Sequence, residues 1–125
     1  MPLETGLSAS VDLVVADVDT AIALRTGEVP VLATPRVVAL CEEAAVAALD
    51  GRLAPNETSV GMRVQLDHLT PTAVGTTVTA EATLERIEGR RLVFTVSVND
   101  RRGLVAAGKV TRVVVDVQHF LDKTR

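Results

Sequence analysis

Residues 34–49 read TPRVVALCEEAAVAAL, and this stretch predicts the helix around which the rest of the chain folds. Thr34 suits an N-cap and Pro35 suits the first helical position, while Asp50-Gly51 supplies a stop. A helix over about 35–49 is therefore expected. The run is apolar almost all round, which is typical of a helix that is buried on most sides.

Glu42 interrupts this apolar run. A carboxylate in such surroundings loses hydration, so it must reach water, find a hydrogen-bond donor or take up a proton. Catalytic carboxylates arise in this way, although Glu42 and Glu43 together also fit a narrow solvated stripe on the helix. Glu43 is rotated about 100° from Glu42 and is not expected to share its site. Cys41, in the same run, is interpreted as a small buried hydrophobe rather than a nucleophile.

Segments rich in Val and Thr predict strands on both sides of the helix. One lies near 8–17, before the helix, and four follow it, near 58–69, 76–87, 91–99 and 104–117. Short separators at 88–90 and 99–103 are typical of hairpin turns. This order predicts an α+β fold in which an antiparallel sheet wraps around one central helix. Because one helix cannot cover a long curved sheet and open edges invite pairing, a homodimer or a higher homo-oligomer is expected.

Composition limits the function. The 125 residues, with 47% hydrophobic content, predict a single domain over 1–125. An aromatic content of 2% and a net charge of −3 argue against nucleic acid as a partner. Two histidines and one cysteine without ligand spacing argue against a metal site. The absence of a signal peptide and of an apolar run near the ~18 residues needed to span a bilayer predicts a soluble cytoplasmic protein without membrane contact.

The order of elements resembles the hotdog fold, the architecture of many acyl-thioester hydrolases and dehydratases. Within that fold the chain resembles the fluoroacetyl-coenzyme A thioesterase family. Its members carry a Thr just before the central helix, a Glu within it, a Gly and a His on the next strand, and an Arg on the last strand. The matching positions here are Thr34, Glu42, Gly61, His68 and Arg112. The segments TSVG at 58–61, HLTPT at 68–72, GTTVTAE at 75–81 and EGRRL at 88–92 also match in kind, and the resemblance covers roughly residues 8–121.

The resemblance implies hydrolysis of an acyl-coenzyme A thioester, with Thr34, Glu42 and His68 at the catalytic centre. Coenzyme A enters as part of the substrate, and no separate cofactor is implied. Neutral His68 can take a proton from water or from the Thr34 hydroxyl and return it to the departing sulfur. Glu42 can orient His68, activate water or attack the thioester itself. The Gly61 amide can stabilise the oxyanion, and Arg112 can hold Glu42 or polarise the substrate carbonyl.

Each of these positions has a second interpretation from its own surroundings. Thr34 can be only an N-cap, and His68 can be a surface residue at a strand end. Gly61 can mark a bulge or a close backbone approach, and Arg112 can face solvent. If Thr34 and Glu42 share one regular helix, about 12 Å separates their backbones. Either the helix then begins after Thr34, or the site joins residues from two subunits.

The departures from the family concern the substrate. In the fluoroacetyl-specific enzymes of the family, an aromatic residue before the helix closes over the acyl group and contributes to selectivity, but residues 20–33 of this chain contain none. That segment also looks shorter, and Pro35 stands where the family tends to have a small flexible residue. These differences imply that the thioester substrate carries a small or medium acyl group other than fluoroacetyl. A hotdog dehydratase or hydratase, and a non-catalytic acyl-CoA binding module, are the alternative functions.

Overall fold

An antiparallel sheet of five strands surrounds one long helix in the computed structural model of the chain, which describes residues 3–125. The strands are β1 (Ser8–Val14), β2 (Glu57–His68), β3 (Thr77–Glu88), β4 (Arg91–Asp100) and β5 (Gly103–Asp116). The helices are α1 (Ala21–Leu24), α2 (Thr34–Ala48) and α3 (Val117–Asp122), and a single 3₁₀ turn covers Asp17–Asp19. Helix α2 packs against all five strands, which confirms the predicted α+β architecture.

The strand order is β1-β3-β4-β5-β2, and every pairing is antiparallel. Tight turns join β3 to β4 and β4 to β5, as their short separators predict. Strands β1 and β2 lie at the two edges of the sheet. The 12-residue strand β2 directly follows the central helix and has one side without a strand partner among residues 3–125.

The structure differs from the prediction in the end of one strand and in one additional helix. Strand β1 stops at Val14 instead of continuing to about residue 17, because a carboxylate oxygen of Asp19 accepts the Ala16 amide and closes a turn there (2.8 Å). A short helix, α3, follows the last strand and was not expected. Its start is capped by the Asp116 side chain, which accepts the His119 amide at 2.9 Å.

Helix α2 buries one face and exposes the other. Its buried positions recur with the three-and-four spacing of an amphipathic helix, namely Val37, Leu40, Cys41, Ala44, Ala45 and Ala48. The opposite face carries exposed apolar side chains, including Ala39 and Val46, and Val46 is 50% exposed. The expectation that this helix is buried on most sides is therefore wrong for a single chain. Half of an apolar helix remains uncovered.

The core lies between α2 and the concave face of the sheet. Alternate residues of the central strands point at the helix, and Phe94 is the largest fully buried side chain. Burying a side chain of this kind contributes roughly 1.5–3 kcal/mol relative to leaving it exposed. Among residues 3–125, no helix is long and apolar enough to cross a membrane.

The segment before α2 is held in place by Asp19. Arg36 donates to one of its carboxylate oxygens at 3.0 Å, and the Ala33 amide donates to its backbone carbonyl at 2.9 Å. Isolated bridges join Thr20 to Leu32 and Val31 to Ala73. The start of α2, and Thr34 with it, is therefore fixed against the neighbouring loop.

Candidate active site

Thr34 and His68 form a direct hydrogen bond, with 2.7 Å between the Thr34 hydroxyl oxygen and His68 Nδ1. Thr34 is the first residue of α2, and the helix is capped by Ala33 without a side-chain bond. The prediction that Thr34 caps the helix is thus wrong, because its hydroxyl is directed at His68. His68 is the last residue of β2, where the strand meets the start of the helix.

The surroundings of His68 favour its neutral form. Burial lowers the pKa of His68 below its ordinary value of 6.5, and a backbone hydrogen bond with Thr70 partly opposes that shift. Its second ring nitrogen, Nε2, is buried and has no hydrogen-bond partner within residues 3–125. Buried polar atoms in proteins normally have a partner, so this nitrogen is positioned to meet one supplied by a ligand, water or another chain.

A cavity of about 330 Å³ adjoins the Thr34–His68 pair. Its walls come from the segment before α2 and from the turn after β2. The lining residues are Ala21, Thr26, Gly27, Val29, Val31, Leu32, Ala33, Thr34, His68, Leu69, Thr70 and Pro71. Small and aliphatic side chains dominate this list, and no aromatic ring contributes to it except the imidazole.

Glu42 lies further along α2 and pairs with Arg112 of β5. Arg112 Nη1 donates to Glu42 Oε1 at 3.1 Å, and the two side chains are 8% and 32% exposed respectively. Burial lowers the pKa of the Arg112 guanidinium, and the charge of Glu42 opposes this shift. The carboxylate has therefore found a charged donor while keeping contact with water. Arg112 does not face solvent.

Gly61 of β2 lies directly against the Glu42 carboxylate. A Cβ atom at this position would overlap Glu42 Oε1, so only glycine allows the approach. Gly61 pairs with Arg112 in the sheet, and the register shifts between Gly61 and Arg63. Both sequence interpretations of Gly61, a close approach and a bulge, are present in the structure.

The bulge at Met62 decides which side chains of β2 face the helix. Before it Ser59 points inward with Gly61, whereas after it Val64 and Leu66 pack on the core and His68 reaches Thr34. One extra residue changes the inward-facing positions from odd to even numbers. Gly61 and His68 can thus lie on the same face of one strand.

The five predicted site residues form two separate clusters in one chain. Thr34 and His68 make the first, and Glu42, Gly61 and Arg112 make the second. Both Thr34 and Glu42 belong to α2, so about 12 Å separates their backbones. No hydrogen bond joins the two clusters in the part of the chain that the structure describes. The alternative in which the helix begins after Thr34 is wrong.

Ser59 belongs to the second cluster and was missed from the sequence. Its hydroxyl accepts from Arg112 Nε at 2.9 Å, and its backbone carbonyl accepts from Arg112 Nη2 at 2.9 Å. The spacing of two residues between Ser59 and Gly61 on a strand is the signal that could have found it. A cavity of about 580 Å³ opens over this cluster, lined by Glu42, Ser59, Val60, Gly61, Met62, Arg63, Val64 and Arg112.

Neighbouring chemistry-bearing residues lie outside both clusters. Cys41 is fully buried, and burial together with the charge of Glu42 raises the pKa of its thiol to about 11, as befits a small hydrophobe. Glu43 is exposed and lies 3.5 Å from Arg36. Within residues 3–125, no group of three or more His, Cys, Asp or Glu side chains is arranged to hold a metal ion.

Comparison with known proteins places this architecture in the hotdog class. A hot-dog-like protein from Thermanaerovibrio acidaminovorans superposes with a TM-score of 0.91 at 28% identity, covering 98% of this chain and 90% of the other. A crystal structure of a variant of the fluoroacetyl-CoA-specific thioesterase FlK, in complex with fluoroacetate and CoA, gives a TM-score of 0.88 at 32% identity, over 94% and 99% of the two chains.

The sequence comparisons are more specific. Residues 15–118 match the family model of FlK, described as fluoroacetyl-CoA-specific thioesterase. The fluoroacetyl-CoA thioesterase of Streptantibioticus cattleyicolor is 38% identical over 95 residues, which is 76% of this chain and 68% of that protein. The chain therefore belongs to the FlK family of thioesterases. The resemblance, the hotdog fold and the thioesterase class predicted from the sequence are confirmed.

Proposed function

We propose that this protein hydrolyses acyl-coenzyme A thioesters at a centre formed by Thr34, Glu42 and His68. The observation that carries the proposal is the 2.7 Å bond between Thr34 and His68, beside a cavity and with a buried, unpartnered Nε2. Family membership supports the reaction class, and the FlK variant bound to fluoroacetate and CoA supports coenzyme A as part of the substrate. The cytoplasmic location stays a prediction.

The two clusters are brought together by a homodimer. Strand β2 offers a long open edge, and the uncovered apolar face of α2 offers surface to bury. If two copies of β2 pair antiparallel about a two-fold axis between Val64 and Gln65, Gly61 lies opposite His68 of the partner subunit. Each composite site then holds Glu42 and Gly61 from one chain and the Thr34–His68 pair from the other.

The chemistry uses His68 as the base and then as the acid. Neutral His68 takes a proton from water or from the Thr34 hydroxyl as the oxygen bonds to the carbonyl carbon, and it returns the proton to the sulfur as the C–S bond breaks. Attack by water gives the free acid directly, whereas attack by Thr34 gives an acyl–Thr34 ester. Water then cleaves that ester with His68 again as the base, which releases the acid and restores the Thr34 hydroxyl. The Gly61 amide stabilises the oxyanion. Arg112 holds Glu42, because three of its nitrogens are already occupied by Glu42 and Ser59.

The acyl group is a small or medium aliphatic chain. Residues 20–33 contain no aromatic side chain, and the cavity beside Thr34 is lined largely by Ala, Val and Leu. Such walls offer dispersion contacts to methylene groups, and each buried CH₂ contributes about 0.8 kcal/mol. A two-carbon fluorinated group would leave much of this apolar surface uncovered.

A thiol-release assay across a panel of acyl-coenzyme A esters tests the function. Thr34→Ala, Glu42→Gln and His68→Ala are each expected to lower kcat by at least about 100-fold, since each removes a group at the reacting centre. Glu43→Gln and His119→Ala are matched controls, because both residues lie outside the clusters. The proposal fails if no ester is cleaved or if the three variants cleave as fast as the parent. A double-bond product without free thiol would instead identify a dehydratase.

A further inference from the structure

Ser59 is tied to the candidate site through Arg112 rather than through any contact of its own with Glu42. We propose that Ser59 is a positioning residue that fixes the Glu42 carboxylate by holding the Arg112 guanidinium. The inference rests on the proposed thioester hydrolysis and adds a residue to that site. Ser59 is not itself catalytic, because Arg112 stands between it and Glu42.

Three hydrogen bonds fix the guanidinium. Nε donates to the Ser59 hydroxyl at 2.9 Å, Nη2 donates to the Ser59 carbonyl at 2.9 Å, and Nη1 donates to Glu42 Oε1 at 3.1 Å. Two of the three therefore go to one residue, one to its hydroxyl and one to its backbone carbonyl. Because a guanidinium is planar and its donors are fixed in a fork, holding Nε and Nη2 also sets the direction of Nη1.

The carboxylate depends on that direction. Arg112 binds only Oε1, and among residues 3–125 no hydrogen-bond donor reaches Glu42 Oε2. Glu42 is about one third exposed and lines the cavity of about 580 Å³, so its second oxygen is available to water or substrate. A guanidinium turned toward Glu42 would bind both oxygens in the bidentate manner that arginine prefers and would remove that availability.

The Ser59 hydroxyl prevents this rotation. Removing the hydroxyl leaves the Nε–H of the buried Arg112 without an acceptor. An unpaired buried donor costs free energy, so the guanidinium is expected to turn toward another acceptor. Glu42 is the carboxylate already bonded to Arg112. The hydroxyl therefore acts on the orientation of Glu42 rather than on the affinity for the substrate.

Steady-state kinetics of Ser59 variants test the inference. Ser59→Ala is expected to lower kcat about tenfold and to change KM less than about twofold, because the loss falls on the transition state. Ser59→Cys keeps the volume but offers only a weak acceptor, so it should lose rate in the same way. Ser59→Thr keeps the hydroxyl on a residue suited to a strand and should restore kcat to within about twofold of the parent.

Ser97→Ala on β4 is the matched control, since it is the same substitution on a central strand. Val96 and Val98 on either side of it are buried toward the helix, so the Ser97 side chain lies on the opposite face of the sheet from both clusters. It should leave kcat unchanged. The inference is overturned if Ser59→Ala and Ser59→Cys keep the parental kcat, or if Ser59→Thr fails to restore the rate. A parent enzyme that cleaves no ester would overturn the proposed function and this inference with it. An active parent with a fully active Ser59→Ala variant overturns the inference alone.

Discussion

At the scale of single residues, Glu42 and His68 show two ways in which a fold handles a polar group near its core. Glu42 is paired with a buried arginine and keeps part of its surface in water. His68 forms a hydrogen bond with Thr34 through Nδ1, and its Nε2 is buried without a partner among residues 3–125. The first group is satisfied by its own protomer. In the proposed dimer, the second would be completed by the partner subunit.

The shifted pKa of His68 predicts how activity depends on pH. Since the catalytic form is the neutral ring and burial lowers the pKa of His68 below its ordinary 6.5, activity should fall as the pH drops through that lowered pKa. The acidic limb of kcat/KM is expected to have its midpoint under 6.5, and His68→Ala should abolish that limb. A midpoint above 6.5 would contradict the assignment of His68 as the base.

Residue identities explain which parts of the site the sequence could predict. The five positions Thr34, Glu42, Gly61, His68 and Arg112 follow from a family resemblance. All except Thr34 lie on the elements expected, and Thr34 belongs to α2 instead of preceding it. Ser59 was missed because a serine on a Val-rich and Thr-rich strand carries no distinct signal until its arginine partner is seen. The separation into two clusters follows from the rise of the helix.

At the scale of elements, helix α2 was predictable because Pro35 and Gly51 punctuate it and its length suits a central helix. The strands were predictable from their Val-rich and Thr-rich composition and from the short hairpin turns between them. The end of β1 and the existence of α3 depend on the side chains of Asp19 and Asp116, which bond to nearby amides. Such local capping competes with strand extension and is not visible in hydrophobic periodicity.

The uncovered face of α2 predicts an effect on assembly. Val46→Asp places a charge on this apolar face and is expected to shift the protein from dimer to monomer, because the charge would lose its hydration at the interface. Sedimentation velocity measures the change, and thioesterase activity should fall with it. Val18→Asp is the matched control, since Val18 is also exposed but lies in the 3₁₀ turn. A dimeric and active Val46→Asp variant would contradict this role for α2.

At the scale of the whole molecule, the strand order places β2 at an edge with Gly61 and His68 on its inner face. The strand order could not be derived from the sequence, and a bulge was only one of the interpretations open for Gly61, because both features depend on pairings between distant segments. The rise of α2 keeps Thr34 and Glu42 apart, and the length of β2 keeps Gly61 and His68 apart, so one chain holds its site residues in two clusters. A two-fold axis across β2 is the simplest operation that joins them.

Complementation between two inactive variants tests this composite site most directly. Glu42→Gln and His68→Ala chains are co-expressed with different tags, and the mixed dimer is purified and assayed for thiol release. In a mixed dimer, one site combines His68 of the Glu42→Gln chain with Glu42 of the His68→Ala chain and is intact. The other site carries both substitutions. The mixed dimer should therefore recover about half of the parental rate per dimer, whereas each variant alone stays inactive. A mixed dimer as inactive as its parents would contradict a site shared between two subunits.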